Sequence, residues 1–474
     1  MDRRELIKLL AFSGALMMKP FRGFSGNLLL DQSFTKDDFG KFKWGVTTTA
    51  CQVEGAANKY GKGESIWDHF SHKKGNIKDN SNPDVACDFY HSYKNDTALI
   101  KDLGFDVHRF SIAWSRVFPD GKGSLNKEGV DFYHRVIDTC LENGIEPWIT
   151  LYHWDLPQKL EDEGGWTSRD IIGHFSDYTD FCSRTYGDKV KNWIVLNEPL
   201  GYTALGYMTG YHAPGRKGLK NFLPAVHHSA MCQAEGGRIL KANIKDGHIG
   251  TAFSCSHVDP AKYNHLDEGA VKRLDALFNR LFIEPLMGMG YPIKDLHLLR
   301  KIENYIQPGD MEKLKFDFDF IGLQNYFRIV GRYSLFPPLL WANVVSPDKR
   351  QVETTEMDWE VFPEGIYEII KQFSNYPIKE IVITENGAAF EDIIQDGSVH
   401  DEKRVKFFKD YLTQVLRAKR DGYNITGYLV WSIMDTFEWT EGYKPRFGIA
   451  YTDYNTQQRI IKDSGYWFRD FLKK

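Results

Sequence analysis

Two glutamates stand where side chains commonly do chemistry. Glu198 lies in Asn197-Glu198-Pro199 and Glu385 in Thr384-Glu385-Asn386-Gly387, each directly after a short β-rich run. Two carboxyl groups facing one bond can divide the work. One stays protonated and hands its proton to a departing oxygen; the other stays ionised and attacks the carbon. Their surroundings must push the two pKa values apart, with the acid raised to roughly 6–7. Hydrolysis of a glycoside needs such a pair. An isolated Glu after a strand is ordinarily a solvated loop residue, but these two have company. Gln52 follows a first β-rich run, Arg109 lies within a second, and Tyr152-His153-Trp154-Asp155 ends a third. Gln324-Asn325-Tyr326 and Trp431, then Glu438-Trp439, end later ones. Arg109 and Tyr326 are suitable neighbours for keeping Glu385 charged.

Bringing these residues together requires elements that end at one place. Eight short runs rich in Val, Ile, Phe, Tyr or Trp recur along the chain: Phe42–Val46, Phe105–Phe110, Ile145–Leu151, Asn192–Leu196, Ile249–Ser254, Phe318–Leu323, Glu380–Thr384 and Gly427–Trp431. Such runs suit buried parallel strands. Amphipathic stretches alternate with them, among them Tyr93–Leu103 and Gly129–Glu142, the latter closed by Asn143-Gly144 in a left-handed cap. The alternation predicts an α/β fold, a (β/α)₈ TIM barrel, whose sites lie at the C-terminal ends of the strands. Strands four and seven then bring Glu198 and Glu385 to one mouth. With no Ser/Gly-rich linker in the series, residues 38–474 read as a single catalytic domain with long βα loops. The spare length falls in 52–88, 255–317 and 327–376.

Composition agrees with a globular enzyme. The chain has 474 residues, 42% of them hydrophobic, and 60 basic against 64 acidic side chains leave a net charge of −4. That balance gives no basic footprint for nucleic acid, and nothing approaches the 18 apolar residues of a membrane span. The 14% aromatic share, with 12 Trp and 24 Tyr, permits a carbohydrate site, because a sugar presents a C–H face to an indole. Six scattered cysteines include no Cys-x-x-Cys and read as buried small hydrophobes. Residues 1–26 open with Arg3-Arg4, then an apolar run from Leu9 to Met18, the plan of a twin-arginine-like export signal. That reading places the protein in the periplasm; without signal function the segment leaves it cytoplasmic.

Taken in order, the motifs resemble those of the β-glucosidases of glycoside hydrolase family 1, from about Phe42 to the C-terminus. They are Gln52-Val53-Glu54-Gly55-Ala56, His108-Arg109-Phe110-Ser111, Tyr152-His153-Trp154-Asp155-Leu156-Pro157 and Asn197-Glu198-Pro199, then Thr384-Glu385-Asn386-Gly387, Phe437-Glu438-Trp439, Gly442-Tyr443 and Arg446-Phe447-Gly448. The resemblance implies a retaining β-glucosidase that removes terminal β-D-glucosyl residues from small β-glucosides and cello-oligosaccharides. Glu198 would be the acid/base and Glu385 the nucleophile, about 5–5.5 Å apart. Arg109, Asn197 and Tyr326 would surround them, and Gln52, His153, Trp431, Glu438 and Trp439 would hold the sugar. Neither cofactor nor metal is implied.

Alternatives stay open at this point: a β-galactosidase or β-fucosidase preference, or a catalytically weak sugar-binding protein. Relatives that cleave thioglucosides carry Gln where Glu198 stands, and those that take 6-phosphosugars carry a Ser and a Lys where this chain has Glu438. Gln324 stands where the family often has Asn, a mild departure. His227-His228 reads as packing or local hydrogen bonding, because adjacent helical residues point about 100° apart. Asp317 and Asp319 read as solvated or capping residues at a strand entry. Trp341 and Trp359 lie in the loop after the sixth run, where lining a leaving-group subsite and plain loop packing are both open, and neither is assigned to the site. Oligomeric state and natural aglycone are left undecided.

Overall fold

The computed structural model describes residues 34–338 and 340–473. All eight expected strands are present: β1 Lys43–Thr47, β2 Val107–Ser111, β3 Glu146–Tyr152, β4 Asn192–Asn197, β5 His248–Ser254, β6 Phe320–Gln324, β7 Ile381–Asn386 and β8 Ile425–Trp431. They close in chain order into a parallel barrel, β8 pairing back onto β1 from Lys43↔Gly427 to Thr47↔Trp431. Boundaries differ from the sequence expectation by one or two residues, the ordinary imprecision of strand ends. The main outer helices are α1 Phe89–Asp102, α2 Lys127–Glu142, α3 Ile171–Tyr186, α4 Leu219–Asn243, α5 His265–Asp275, α6 Glu364–Phe373, α7 Glu402–Arg420 and α8 Asp463–Lys473. Gly144, at φ +72°, takes the left-handed position after α2.

Side chains fill the barrel in layers. Val107, Trp148, Ile194, Ala252, Phe320, Val382 and Leu429 form an apolar interior cluster. Gly45 belongs beside it, because a Cβ there would come within 2.5 Å of Leu429. Two residues further along the strands the interior turns polar, with Arg109 donating to Thr150 Oγ1 at 3.0 Å and to the Thr384 carbonyl at 3.2 Å. Strict alternation would carry Thr384 inward and Glu385 outward. The β6–β7 ladder shifts register between Ile383 and Glu385, and the β4–β5 ladder between Ile194 and Asn197. Such irregularities re-aim side chains at barrel rims, and here they sit where Asn197 and Glu385 turn into the mouth.

The long connections hold structure that the sequence reading did not foresee. Val258–Pro260, Ile329–Tyr333 and Ala342–Val344 form a separate three-stranded sheet against α5. Each piece is three to five residues, too short for a periodicity argument. At the opposite end of the barrel, Phe471 of α8 packs edge-on against Phe34, Phe39 and Trp44. All six cysteines are free and five are buried. Among the described residues no helix is long and apolar enough to cross a membrane. The segment read as an export signal lies outside the described residues.

Candidate active site

Glu385 is the most heavily hydrogen-bonded carboxylate in the mouth. Arg109 Nη1 donates to its Oε1 at 2.7 Å and Gln324 Nε2 at 2.9 Å, while the Tyr326 hydroxyl donates to Oε2 at 2.6 Å. Arg109 is fully buried and Glu385 3% exposed, so their ion pair is desolvated. Burial drives the Glu385 carboxyl above the usual range, and Arg109, Tyr326 and Gln324 pull it back. A negative charge here is compensated. Burial and the neighbouring Glu385 charge hold the Tyr326 phenol far above its ordinary pKa, which keeps it a donor.

Glu198 has the contrary environment. It follows β4 in a left-handed conformation, φ +44° and ψ 64°, a geometry that costs a non-glycine residue roughly 1–3 kcal/mol. Its own N–H donates to the Ala252 carbonyl at 2.9 Å, and Pro199 starts a helical turn directly after it. Burial first, then the Glu385 charge, pushes its carboxyl up to about 8. Both carboxyls are thus raised by burial, and what separates them is the direct Arg109 ion pair and two donor bonds that favour the charged form of Glu385 alone.

The remaining expected residues join the same cluster. Asn197 Oδ1 accepts from Arg109 Nη2 and from Gln324 Nε2, and its Nδ2 lies 3.0 Å from His153 Nε2. Burial, helped by Arg109, holds the His153 imidazole well below its ordinary pKa and therefore neutral. Its ring is roughly parallel to those of Trp431 and Trp439. Gln52 Nε2 donates to the Phe437 carbonyl at 2.7 Å and lies 3.3 Å from Glu438 Oε2. Burial pushes Glu438 up to about 8, with Glu441 adding to it. Gln52 Oε1 and His153 Nδ1 are buried without a partner among the described residues. A buried polar atom of that kind is costly unless something completes it.

A cavity of about 200 Å³ opens over this cluster. Of the expected residues Glu198, Tyr326, Glu438 and Trp439 line it; Glu385, Arg109, Asn197, Gln52, His153 and Trp431 lie behind them, bonded or stacked to them. The far wall is Met357 and Trp359 with Phe327, facing Tyr211 and the Lys78–Glu441 pair. Trp359 therefore lines the cavity, whereas Trp341 is a half-exposed residue whose carbonyl accepts from Arg273 and whose amide donates to the Pro337 carbonyl. Two further strand-end residues, given no role from the sequence, take part. Gln324, noted as a strand-end residue and a family departure, bridges Glu385 and Asn197. Trp154 stacks on Trp439 at 4.8 Å and donates to the Asn197 carbonyl. Both stand at strand ends, the signal that identified the others. Tyr152 and Asp155 do not reach the mouth: Tyr152 accepts from Trp166 in the core, and Asp155 faces a separate small cavity. His227 bonds Tyr291 and Asp310, and His228 the Trp166 carbonyl, as local hydrogen bonding requires. Asp317 is exposed, and the partly exposed Asp319 holds Lys241 and caps the Ile249 amide at the start of β5, as expected of solvated or capping residues. Among the described residues no group of three or more His, Cys, Asp or Glu side chains is placed to hold a metal ion.

A closed parallel barrel with two electrostatically distinct carboxyl groups at its C-terminal mouth defines a barrel hydrolase of the carboxylate-pair class. The family model described as glycosyl hydrolase family 1 matches residues 33–474, and the chain belongs to that family and is a glycosidase. It is 43% identical over 437 residues to β-glucosidase A of Thermotoga maritima, covering 91% of this chain and 97% of that one. β-Glucosidase A of Acetivibrio thermocellus is 42% identical over 450 residues, with 93% and 98% covered. The solved structure of the Thermotoga maritima β-glucosidase in complex with glucoimidazole superimposes with a TM-score of 0.88, covering 92% of this chain and 98% of the other at 42% identity.

Proposed function

We propose that this glycosidase is a retaining β-glucosidase acting on small β-glucosides and cello-oligosaccharides, with Glu198 as acid/base and Glu385 as nucleophile. The observation that carries the assignment is the contrast between their surroundings: Glu385 is bonded directly by the Arg109 cation and by two neutral donors, whereas Glu198 has only Ser254 and the unbonded Arg109 charge to offset its burial. In the first step a Glu385 oxygen attacks the anomeric carbon while the Glu198 proton passes to the leaving oxygen. The C–O bond breaks, the aglycone departs as an alcohol, and a glycosyl ester remains. Glu198, now ionised, takes a proton from water; that oxygen attacks the same carbon, frees Glu385 and releases the sugar with its configuration retained.

Gln52, His153, Asn197, Trp431, Glu438 and Trp439 hold the nonreducing sugar in this reading. The unpartnered Gln52 Oε1 and His153 Nδ1 support it, since sugar hydroxyls would complete them. A carboxyl at Glu438 offers a phosphate no compensating charge, which favours plain over 6-phosphorylated sugars. Residues 38–474 act as one catalytic domain, and residues 1–26 direct export. Turnover of p-nitrophenyl β-glucoside beside the galactoside, fucoside and 6-phosphoglucoside tests the reading. Turnover of the glucoside by wild type, lost in Glu385→Gln, supports it. A folded wild type that turns over none of them sinks it in favour of a sugar-binding protein.

A further inference from the structure

Six charged side chains, none of them lining the cavity, are packed into the protein around the loops after β7 and β8. Arg404, Lys462 and Arg446 supply three positive charges; Asp392, Asp401 and Asp435 supply three negative ones. Arg404, Lys462 and all three aspartates are 0% exposed at their side chains and Arg446 only 17%. Arg404 grips Asp392 with two parallel bonds of 3.0 Å, bonds Asp401, and donates to the carbonyls of Ala388 at 3.0 Å and Arg446 at 2.7 Å. Lys462, from the segment entering α8, bridges Asp392 and Asp435, the latter at 2.7 Å. Asp435 also takes Arg446 Nη1 at 2.7 Å and the Gly448 amide at 2.9 Å. Ser464 donates to Asp401 through both its amide and its hydroxyl.

The cluster has a defined line to the reacting groups. Asp392 and Ala388 belong to the loop after β7, which carries Glu385; Asp435 and Arg446 belong to the loop after β8, which carries Glu438 and Trp439. Between Arg446 and Gly448, both anchored on Asp435, stands Phe447. Its ring packs on Tyr326 at 6.2 Å and on Trp359 at 5.9 Å, in one cluster with Trp431 and Ala389. Tyr326 in turn donates to Glu385. Resting on the β-glucosidase reading above, we propose that Asp435, locked by Lys462, is a positioning residue: the balanced six-charge cluster seats Phe447, and through it Tyr326 against Glu385, and sets the sugar-holding loop after β8. A cluster kept for stability alone would need no such path, and buried ion pairs by themselves are weak stabilisers relative to apolar packing.

Charge balance makes the test specific. Asp435→Asn leaves three cations against two carboxylates, Lys462→Met two against three, and the double variant two against two. Wild type and the three variants are compared on p-nitrophenyl β-glucoside, per active site counted by burst titration, with Tm recorded for each. Each single variant is expected to raise KM about tenfold or more and to move the acid limb of kcat to higher pH, because a sugar or nucleophile displaced by a fraction of an ångström loses orientation. The double variant is expected to recover much of the KM change. KM and pH profile unchanged in Asp435→Asn, with only Tm lowered, overturns the proposal, as does a double variant whose losses simply add. Should a single variant fail to fold, Phe447→Leu, which leaves all six charges in place, must show the same KM rise and acid-limb shift, and its failure to do so also overturns it. A wild type without turnover removes the β-glucosidase reading itself, a distinct result.

Discussion

Glu198 and Glu385 are the same side chain in two environments, and the environments make different predictions. The acid must be protonated to act, so activity is lost as pH rises through its pKa. With Glu198 at about 8, kcat/KM for a glucoside with an alkyl leaving group is expected to hold through neutrality and fall on the alkaline side of about pH 8. An alkaline limb below pH 6 would contradict the assignment. Glu198→Gln separates the two steps. Nitrophenolate leaves without a proton, whereas the intermediate still needs a base. The variant is expected to give a burst of nitrophenolate followed by turnover slowed about 10²–10⁴-fold. Stopped-flow absorbance reads this directly, and equal slowing of the burst itself would mean that Glu198 is not the acid.

At the scale of elements, the βα loops pay unequally for what they bury. Asp155, in the loop after β3, is 2% exposed, and its Oδ1 has no partner among the described residues. It lines a cavity of about 10 Å³, room for one water, together with Glu54, Lys62, Asp68 and Arg116. Burial first, then the Glu54 charge, raises its carboxyl from 3.8 to about 8. A raised acid binds its proton more tightly folded than unfolded, so the folded state loses stability as pH climbs from about 4 to about 8. Asp155→Asn is isosteric and cannot ionise. It is expected to match wild type near pH 4 and to exceed its Tm by about 2 °C or more at pH 8. Calorimetry at the two pH values checks this, and a variant less stable at pH 8 would show that the ionised carboxylate is needed where it stands.

Across the whole molecule, the two ends of the barrel do different work. The C-terminal end carries the site, while the N-terminal end is closed by the aromatic group of Phe34, Phe39, Phe42, Trp44 and Phe471. Removing the Phe471 ring leaves a hole that the rigid barrel floor fills only in part. Phe471→Ala is expected to cost about 3–5 kcal/mol of stability and to leave kcat/KM per active site unchanged. Denaturant unfolding beside active-site titration separates the effects, and a matching loss of kcat/KM would show that the barrel ends are coupled.

The amino-acid sequence was sufficient for everything that depends on local pattern. Runs of β-branched and aromatic residues separated by amphipathic stretches located all eight strands, and polar residues at their ends named the site, because a parallel barrel places those ends at one mouth. Period-two logic alone would have turned Glu385 outward after Thr384. The ladders beside β4 and β7 shift register at Asn197 and Glu385, and both side chains bond Arg109 in the mouth. The bridge that Gln324 makes, the place of Trp359 in the cavity wall and the buried charges around Asp435 were not legible, since each joins residues far apart in the chain. Whether a carboxyl becomes the acid or the nucleophile depends on its burial and on the charges beside it. Those are properties of distance and desolvation in three dimensions, which no run of neighbouring residues encodes.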